Sequence, residues 1–289
     1  MTGGAQAMLL PDGRRLHLQH GPIDIIAEAV GPVGEVHAAY AQAAARFETV
    51  LAPLVEELHV LRAAIGEPRP LPRGPVARRM VAAVWPHRGV FITPMAAVAG
   101  AVADEVLAAM VEGRALARAY VNNGGDIAFH LAPGESLQAG VVNDQRTPAI
   151  DARVALSADL PVRGLATSGW QGRSFSLGIA DAVTVLARDA AAADAAATLV
   201  ANAVNVEHPA ITRWPANRLR HDSDLGARLV TVDVDRLPAD LIARALELGA
   251  AAARRMQSRG LIHGAYLALQ GEVRVVMPGP SQSFLRSSA

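Results

Sequence analysis

The 289-residue sequence predicts an α+β fold, with antiparallel sheets packed against helices. Three observations carry that expectation. Helical periodicity dominates from about Gly34 to Glu112, alternation of period two takes over from Ala117, and turn residues separate the alternating runs. Helix pairs interspersed with hairpins argue against a doubly wound parallel sheet.

Taken in order, Arg14–His20 and Ile23–Ala29 read as short strands on either side of Gly21-Pro22. Gly34–Ile65 reads as helical, with Pro53 marking a break because its ring removes an N–H and crowds the preceding turn. Residues 66–75 hold four prolines and read as an extended surface connection before helical sequence resumes at Val76. Pro94–Glu112 is a long helix, with proline in its first turn and Gly113 as its stop. Strands follow at Ala117–Asn122, Asp126–Leu131, Ser136–Asn143, Ile150–Ser157, Arg163–Thr167 and Ala182–Arg188. Asp189 then caps an Ala-rich helix reaching about Asn205. Val206–Gly226 reads as a long irregular stretch, followed by strand Leu229–Val234 and helix Ala239–Gln257. A last strand pair, Ala265–Leu269 and Val273–Met277, is split by Gln270-Gly271. The length fits one large domain or two small ones, and a single domain over residues 1–289 is expected.

Composition removes several functions. The 27 basic and 27 acidic residues cancel, so no global field points to nucleic acid or an anionic membrane. There is no cysteine, which excludes thiol nucleophiles, zinc-thiolate sites, iron–sulfur ligation and disulfides. There is also no lysine, all 27 basic residues being arginine, which excludes a Walker-type phosphate loop and Schiff-base chemistry. Met1–Arg15 lacks a basic leader before an apolar run, and the apolar stretch Gly89–Ala103 ends at Asp104-Glu105. A cytoplasmic protein with no membrane and no nucleic-acid partner is therefore expected. The Ala-rich helices would pack well in a homodimer.

Three polar words stand out. In Asn122-Asn123-Gly124-Gly125-Asp126 the plain reading is a hairpin turn. In the functional reading, the Gly124 and Gly125 amides meet an anion or ring while Asn123 and Asp126 orient it. Ala166-Thr167-Ser168-Gly169-Trp170 is either a hydroxyl-capped turn or a set of hydroxyls and amides aimed at a phosphate, with Arg163 and Arg173 nearby. Trp170 either stacks on a planar group or closes the core. In the helix after Asp189, residues Asp194, Thr198 and Asn202 fall at i, i+4 and i+8, one polar stripe among Ala, Val and Leu. The stripe is either solvated or a source of hard oxygen ligands, Asp194 and Thr198 being suited to Mg²⁺ bridging phosphates. The stretch Val206–Gly226 carries Arg213, Arg218 and Asp224, which suit an anionic ligand in the same cleft as the Asn-Gly-Gly-Asp turn. No zinc pattern and no Gly-x-Ser-x-Gly elbow is present.

Together with Gly100-Ala101-Val102-Ala103-Asp104, the three words resemble the FAD:protein FMN transferase (ApbE) superfamily, over about residues 90–205. The resemblance implies an ApbE-like, T-fold-related architecture. It implies Mg²⁺ on Asp194 and Thr198, and an FAD site lined by Asn123, Gly124, Gly125 and Asp126 with Thr167, Ser168 and Gly169. Two departures stand against full transferase activity. The lysine usual before the glycine of the earlier segment is Ala99, and the His-x-x-Asp-Pro-x-Thr-Gly segment is replaced by Ser174–Asp181, which has neither histidine nor proline. The late word Asp222-Ser223-Asp224-Leu225-Gly226 is similar to an uncharacterised branch of the superfamily. The expected function is Mg-dependent binding of a flavin or similar dinucleotide or pyrophosphate ligand, with cleavage or transfer at it. The alternative is a flavin, pterin or nucleotide binding protein without chemistry. No catalytic residue is named by the sequence.

Overall fold

The computed structural model describes residues 4–143, 149–279 and 284–286. The chain opens with strands β1 (Gln6–Leu9), β2 (Leu16–His20) and β3 (Ile23–Val30). Helices α1 (Val33–Glu48), α2 (Leu51–Glu56), α3 (Leu58–Leu61), α4 (Pro75–Val84) and α5 (Val98–Val111) follow, the last preceded by a 3-10 turn at Pro94–Ala97. Next come β4 (Arg118–Asn123), β5 (Asp126–Leu131), β6 (Ser136–Val141), β7 (Ala152–Ser157), β8 (Gly164–Ser168), β9 (Ala182–Ala187) and α6 (Ala190–Ala203). The chain continues through β10 (Ile211–Pro215), α7 (Ala216–Leu219), β11 (Leu229–Val234), α8 (Ala239–Ser258), β12 (Gly264–Leu269), β13 (Glu272–Val276) and β14 (Leu285–Arg286). Helices and antiparallel strands are mixed as the sequence predicts.

The chain divides into two compact units. The first comprises Met1–Leu137, Leu156–Ala166 and Arg188–Asp194; the second comprises Gln138–Ala155, Thr167–Ala187 and Ala195–Ala289. In the first, β1, β2, β3, β4, β5 and β8 are neighbours in that order, each paired antiparallel with the next. One face of this sheet is apolar at every second residue, as in Leu16 and Leu18 of β2, Ile25 and Ala27 of β3, and Ala119 and Val121 of β4. Helix α5 covers that face, with Val102, Val106 and Met110 buried, and α1 packs on α5. In the second unit, β9, β12 and β13 pair antiparallel, and α8 packs on β12 and β13. A two-stranded ribbon, β10 with β11, and strands β6, β7 and β14 complete it.

The boundaries differ from expectation in several places, among them the helix expected over Pro94–Glu112, which runs Val98–Val111 after a 3-10 turn. The helical break falls at Thr49-Val50, and Pro53 lies inside the first turn of α2, where its missing N–H leaves no bond unmade. Strand β1 was not anticipated, because Gln6–Leu9 lacks alternation and all four residues are exposed. The stretch Val206–Gly226 is not irregular throughout, since it contains β10 and α7. Strand β10 reads Ile-Thr-Arg-Trp-Pro, and its pairing with β11 is interrupted by a register shift between Thr212 and Arg213, which hides the period. Strands β6 and β7 are shorter than the expected Ser136–Asn143 and Ile150–Ser157.

Candidate functional site

Within the first unit, the starts of α5 and α6 are locked together by an exchange of carboxylates. Asp104 of α5 accepts hydrogen bonds from the Ala190 and Ala191 N–H groups, both at 2.9 Å. Asp194 of α6 accepts one from the Gly100 N–H at 3.0 Å, and the Ala99 N–H also donates to it. Each helix thus satisfies orphan amides in the first turn of the other, and in each helix the aspartate stands four residues beyond an amide its partner takes. Asp189 completes the start of α6, its Oδ1 accepting the Ala192 N–H at 2.7 Å as the sequence predicts.

The approach requires glycine twice. A Cβ at Gly100 would lie 2.2 Å from the Ala190 carbonyl oxygen, and one at Gly164 of β8 would lie 2.1 Å from the Ala190 nitrogen. The Ala190 peptide is held between them. This explains the Gly-x-x-x-Asp word: the glycine admits the neighbouring helix and the aspartate, one turn on, caps it. Asp104 and Asp194 are both half-buried. Burial pushes the Asp104 carboxyl up to about 6, against the pull of its two amide bonds and with the Asp189 charge adding to the rise. Asp194 is raised by the same cause, its amide bonds opposing and the Asp104 charge adding. Thr198, half-buried, stands one turn beyond Asp194 on α6, at the start of that helix's stretch in the second unit. Among the described residues, no group of three or more histidine, aspartate or glutamate side chains could hold a metal ion.

Asn123, Gly124, Gly125 and Asp126 form the β4–β5 turn of the first unit, with Asn123 paired to Asp126. Gly124 and Gly125 have φ of +68° and +109°, the left-handed backbone that a two-residue hairpin demands. The Gly125 N–H is taken by Asn122 Oδ1 at 2.8 Å, and buried Asn123 donates through Nδ2 to the Ala99 carbonyl at 3.1 Å. The turn is therefore fastened to the residue whose N–H faces Asp194, which brings these two words together. Gly124 is exposed.

Thr167, Ser168 and Gly169 belong to the second unit. The Thr167 hydroxyl pairs with that of buried Thr184 at 2.8 Å. Gly169 packs so closely that a Cβ would lie 2.2 Å from the Asp181 carbonyl oxygen. Asp181, which no sequence motif marked, also accepts the Trp170 indole N–H at 3.2 Å. The Ser174–Asp181 segment is strapped to the C-terminal part of α6. Asn202 Oδ1 accepts the Leu177 N–H at 2.9 Å, the Ile179 N–H reaches the Val204 carbonyl at 2.9 Å, and a Cβ at Gly178 would lie 2.1 Å from the Ala201 carbonyl oxygen. Asn202, the third member of the polar stripe, serves this strap.

Arg213 does the same for the stretch after α6. Its guanidinium bonds to Glu207 at 3.0 Å, to Asn205 at 2.5 Å and to the Val206 carbonyl at 3.3 Å. Arg218 is exposed, and the Arg220 guanidinium lies 5.2 Å from the Phe175 ring centroid.

A family model described as AbpE bacteria matches residues 7–275. The chain belongs to this ApbE-like family. The AbpE match spans every word described above. Among curated relatives, it is 42% identical to a UPF0280 protein of Methanothrix thermoacetophila over 114 residues, covering 39% of this chain and 46% of that one. It is 41% identical to a UPF0280 protein of Methanosphaerula palustris over 142 residues, covering 48% and 56%. The chain thus spans about half the length of the curated relatives it matches. Among solved structures, this AbpE-family chain is similar to the ApbE protein of Thermotoga maritima, with a TM-score of 0.45 at 12% identity over 95% of this chain and 97% of that one. It is also similar to the apo flavinyl transferase ApbE of Pseudomonas stutzeri, with a TM-score of 0.43 at 12% identity over 98% and 95%.

Proposed function

We propose that this chain, acting as one ApbE-like domain in the cytoplasm, binds a flavin or similar dinucleotide or pyrophosphate ligand together with Mg²⁺. The observation that carries the reading is the setting of Asp194. Its carboxylate is half-buried, is fixed in direction by the Gly100 and Ala99 amides, and is crowded by the negative charge of Asp104. A carboxylate has lone pairs left after accepting two hydrogen bonds, and a cation beside it would relieve the repulsion. Magnesium is commonly held by one or two carboxylates, with substrate phosphates and water completing its shell, so a donor set of Asp194 and Thr198 fits the ion. Bound there, Mg²⁺ would supply charge neutralisation at a phosphate. Asn123, Gly124, Gly125 and Asp126, with Thr167, Ser168 and Gly169, are the residues that would seat the ligand.

Cleavage or transfer at the pyrophosphate is the finer part of the proposal. One observation favours the alternative of binding without chemistry: Ser174–Asp181, which replaces the histidine-bearing segment, is spent on fastening itself to α6. Equilibrium binding of FAD to the wild type and to Asp194→Ala, with and without Mg²⁺, tests the site. The wild type should bind more tightly with Mg²⁺ and the variant should not respond. An equal Mg²⁺ effect in both would remove Asp194 from the metal. AMP release from FAD, followed by chromatography, separates the enzyme from the binding protein.

A further inference from the structure

In the second unit, the turn after β8 holds two neighbouring side chains in fixed directions. Trp170 donates its backbone N–H to the Ala180 carbonyl at 3.0 Å and its indole N–H to Asp181 Oδ1 at 3.2 Å, while the residue stays half-buried. Gln171 Nε2 reaches the same Asp181 oxygen at 3.5 Å. A carboxylate only accepts, so this contact sets which end of the Gln171 amide is nitrogen. The other end, Oε1, is buried and accepts no hydrogen bond from the described residues. Asp181 is itself anchored, its N–H donating to the Ala268 carbonyl at 3.0 Å and its Oδ2 accepting the Gln270 N–H. Gln270 stands at φ +46°, a left-handed backbone for a residue with a side chain, and its own side chain is tied to Leu237 N–H and the Asp235 carbonyl.

A buried acceptor without a donor is costly, and such atoms in a folded protein call for a partner. Beside this one stands a half-buried indole whose N–H is held by the same carboxylate. We infer that Trp170 and Gln171 recognise a planar heteroaromatic ring that carries a lactam or imide N–H on its edge. The indole face stacks on the ring, Gln171 Oε1 accepts the ring N–H, and Asp181 is the positioning residue for both. This rests on the proposed flavin reading and deepens it: the isoalloxazine ring, rather than the adenine or the phosphates, meets this turn. A pterin has the same lactam edge.

The test uses the full chain with riboflavin and N3-methylriboflavin, which differ only at the imide N–H. The wild type should bind riboflavin with quenching of tryptophan fluorescence and should bind the N3-methyl compound about tenfold more weakly or worse, because methylation removes the donor. Gln171→Leu should abolish that preference. Trp170→Ala should weaken riboflavin about tenfold, while Trp170→Phe keeps most of the affinity and loses the part of the quench that Trp170 supplies. Equal affinity of the wild type for the two compounds would overturn the inference and leave the flavin reading standing. Failure of both riboflavin and FAD to bind would overturn the two together. Binding of 6-methylpterin with the same dependence on Gln171, in place of riboflavin, would uphold the ring recognition and assign it to a pterin.

Discussion

Gly164 shows how little room the fold leaves at the start of α6. Any side chain there meets the Asp189-Ala190 peptide at about 2 Å, a distance only backbone movement can relieve. Gly164→Ala should therefore destabilise the protein by about 3 kcal/mol in urea unfolding; a neutral result would show that strand and helix part at no cost. Glu105 permits a pH test. Burial alone would raise its carboxyl, but hydrogen bonds from Arg79 at 2.8 Å and Arg46 at 3.0 Å outweigh it and hold the group below its ordinary 4.5. A folded-state pKa below the unfolded value means the stabilisation is fully present above about pH 4.5 and lost as pH falls through the depressed value. Melting temperatures of the wild type should fall over that acid range faster than those of Glu105→Gln. Parallel curves would mean the pair contributes nothing to folding.

At the scale of elements, α6 depends on caps from its own sequence and from another helix. Asp189 is the local one, and Asp189→Ala should cost about 1 kcal/mol, with circular dichroism showing the fold kept. A loss near zero would place the whole burden on Asp104. The local cap was legible in the sequence because N-cap chemistry acts within three residues, and the β4–β5 turn was legible because Gly-Gly between two alternating runs admits few other conformations. The exchange between Asp104 and Asp194 was not legible. Its hydrogen bonds join residues 86 to 94 positions apart, and only the assembled helices reveal that two separate words are one device. Asp181 was missed for a similar reason, since its partner Gln270 lies 89 positions further along the chain. Strand β10 was missed because its arginine, tryptophan and proline mask the alternation that its pairing with β11 nonetheless supports.

For the molecule as a whole, the family match covers all three polar words, while the segment that would carry a transferase's histidine is strapped to α6. Purified protein given FAD and Mg²⁺ should leave the acceptor protein of a genuine flavin transferase unmodified, read by intact mass. Covalent FMN on the acceptor would mean that another residue of this chain replaces that histidine. Ligand at 100 times its dissociation constant stabilises a native state by about 2.7 kcal/mol, so FAD binding without transfer would still appear as a raised melting temperature.

The span of the helix exchange also bears on how the chain folds. The amides of Gly100, Ala190 and Ala191 gain their carboxylate partners only when segments 86 to 94 residues apart have met, and closing so long a loop is an entropic toll collected before the bonds form. Helices α5 and α6 can wind locally well before that meeting. Pulse-labelling during refolding should accordingly find those three amides acquiring protection after the interiors of both helices, and in step with one another. The candidate ligand Asp194 would then take its final bearing among the last events of folding, so that competence to bind reports completion of the native structure.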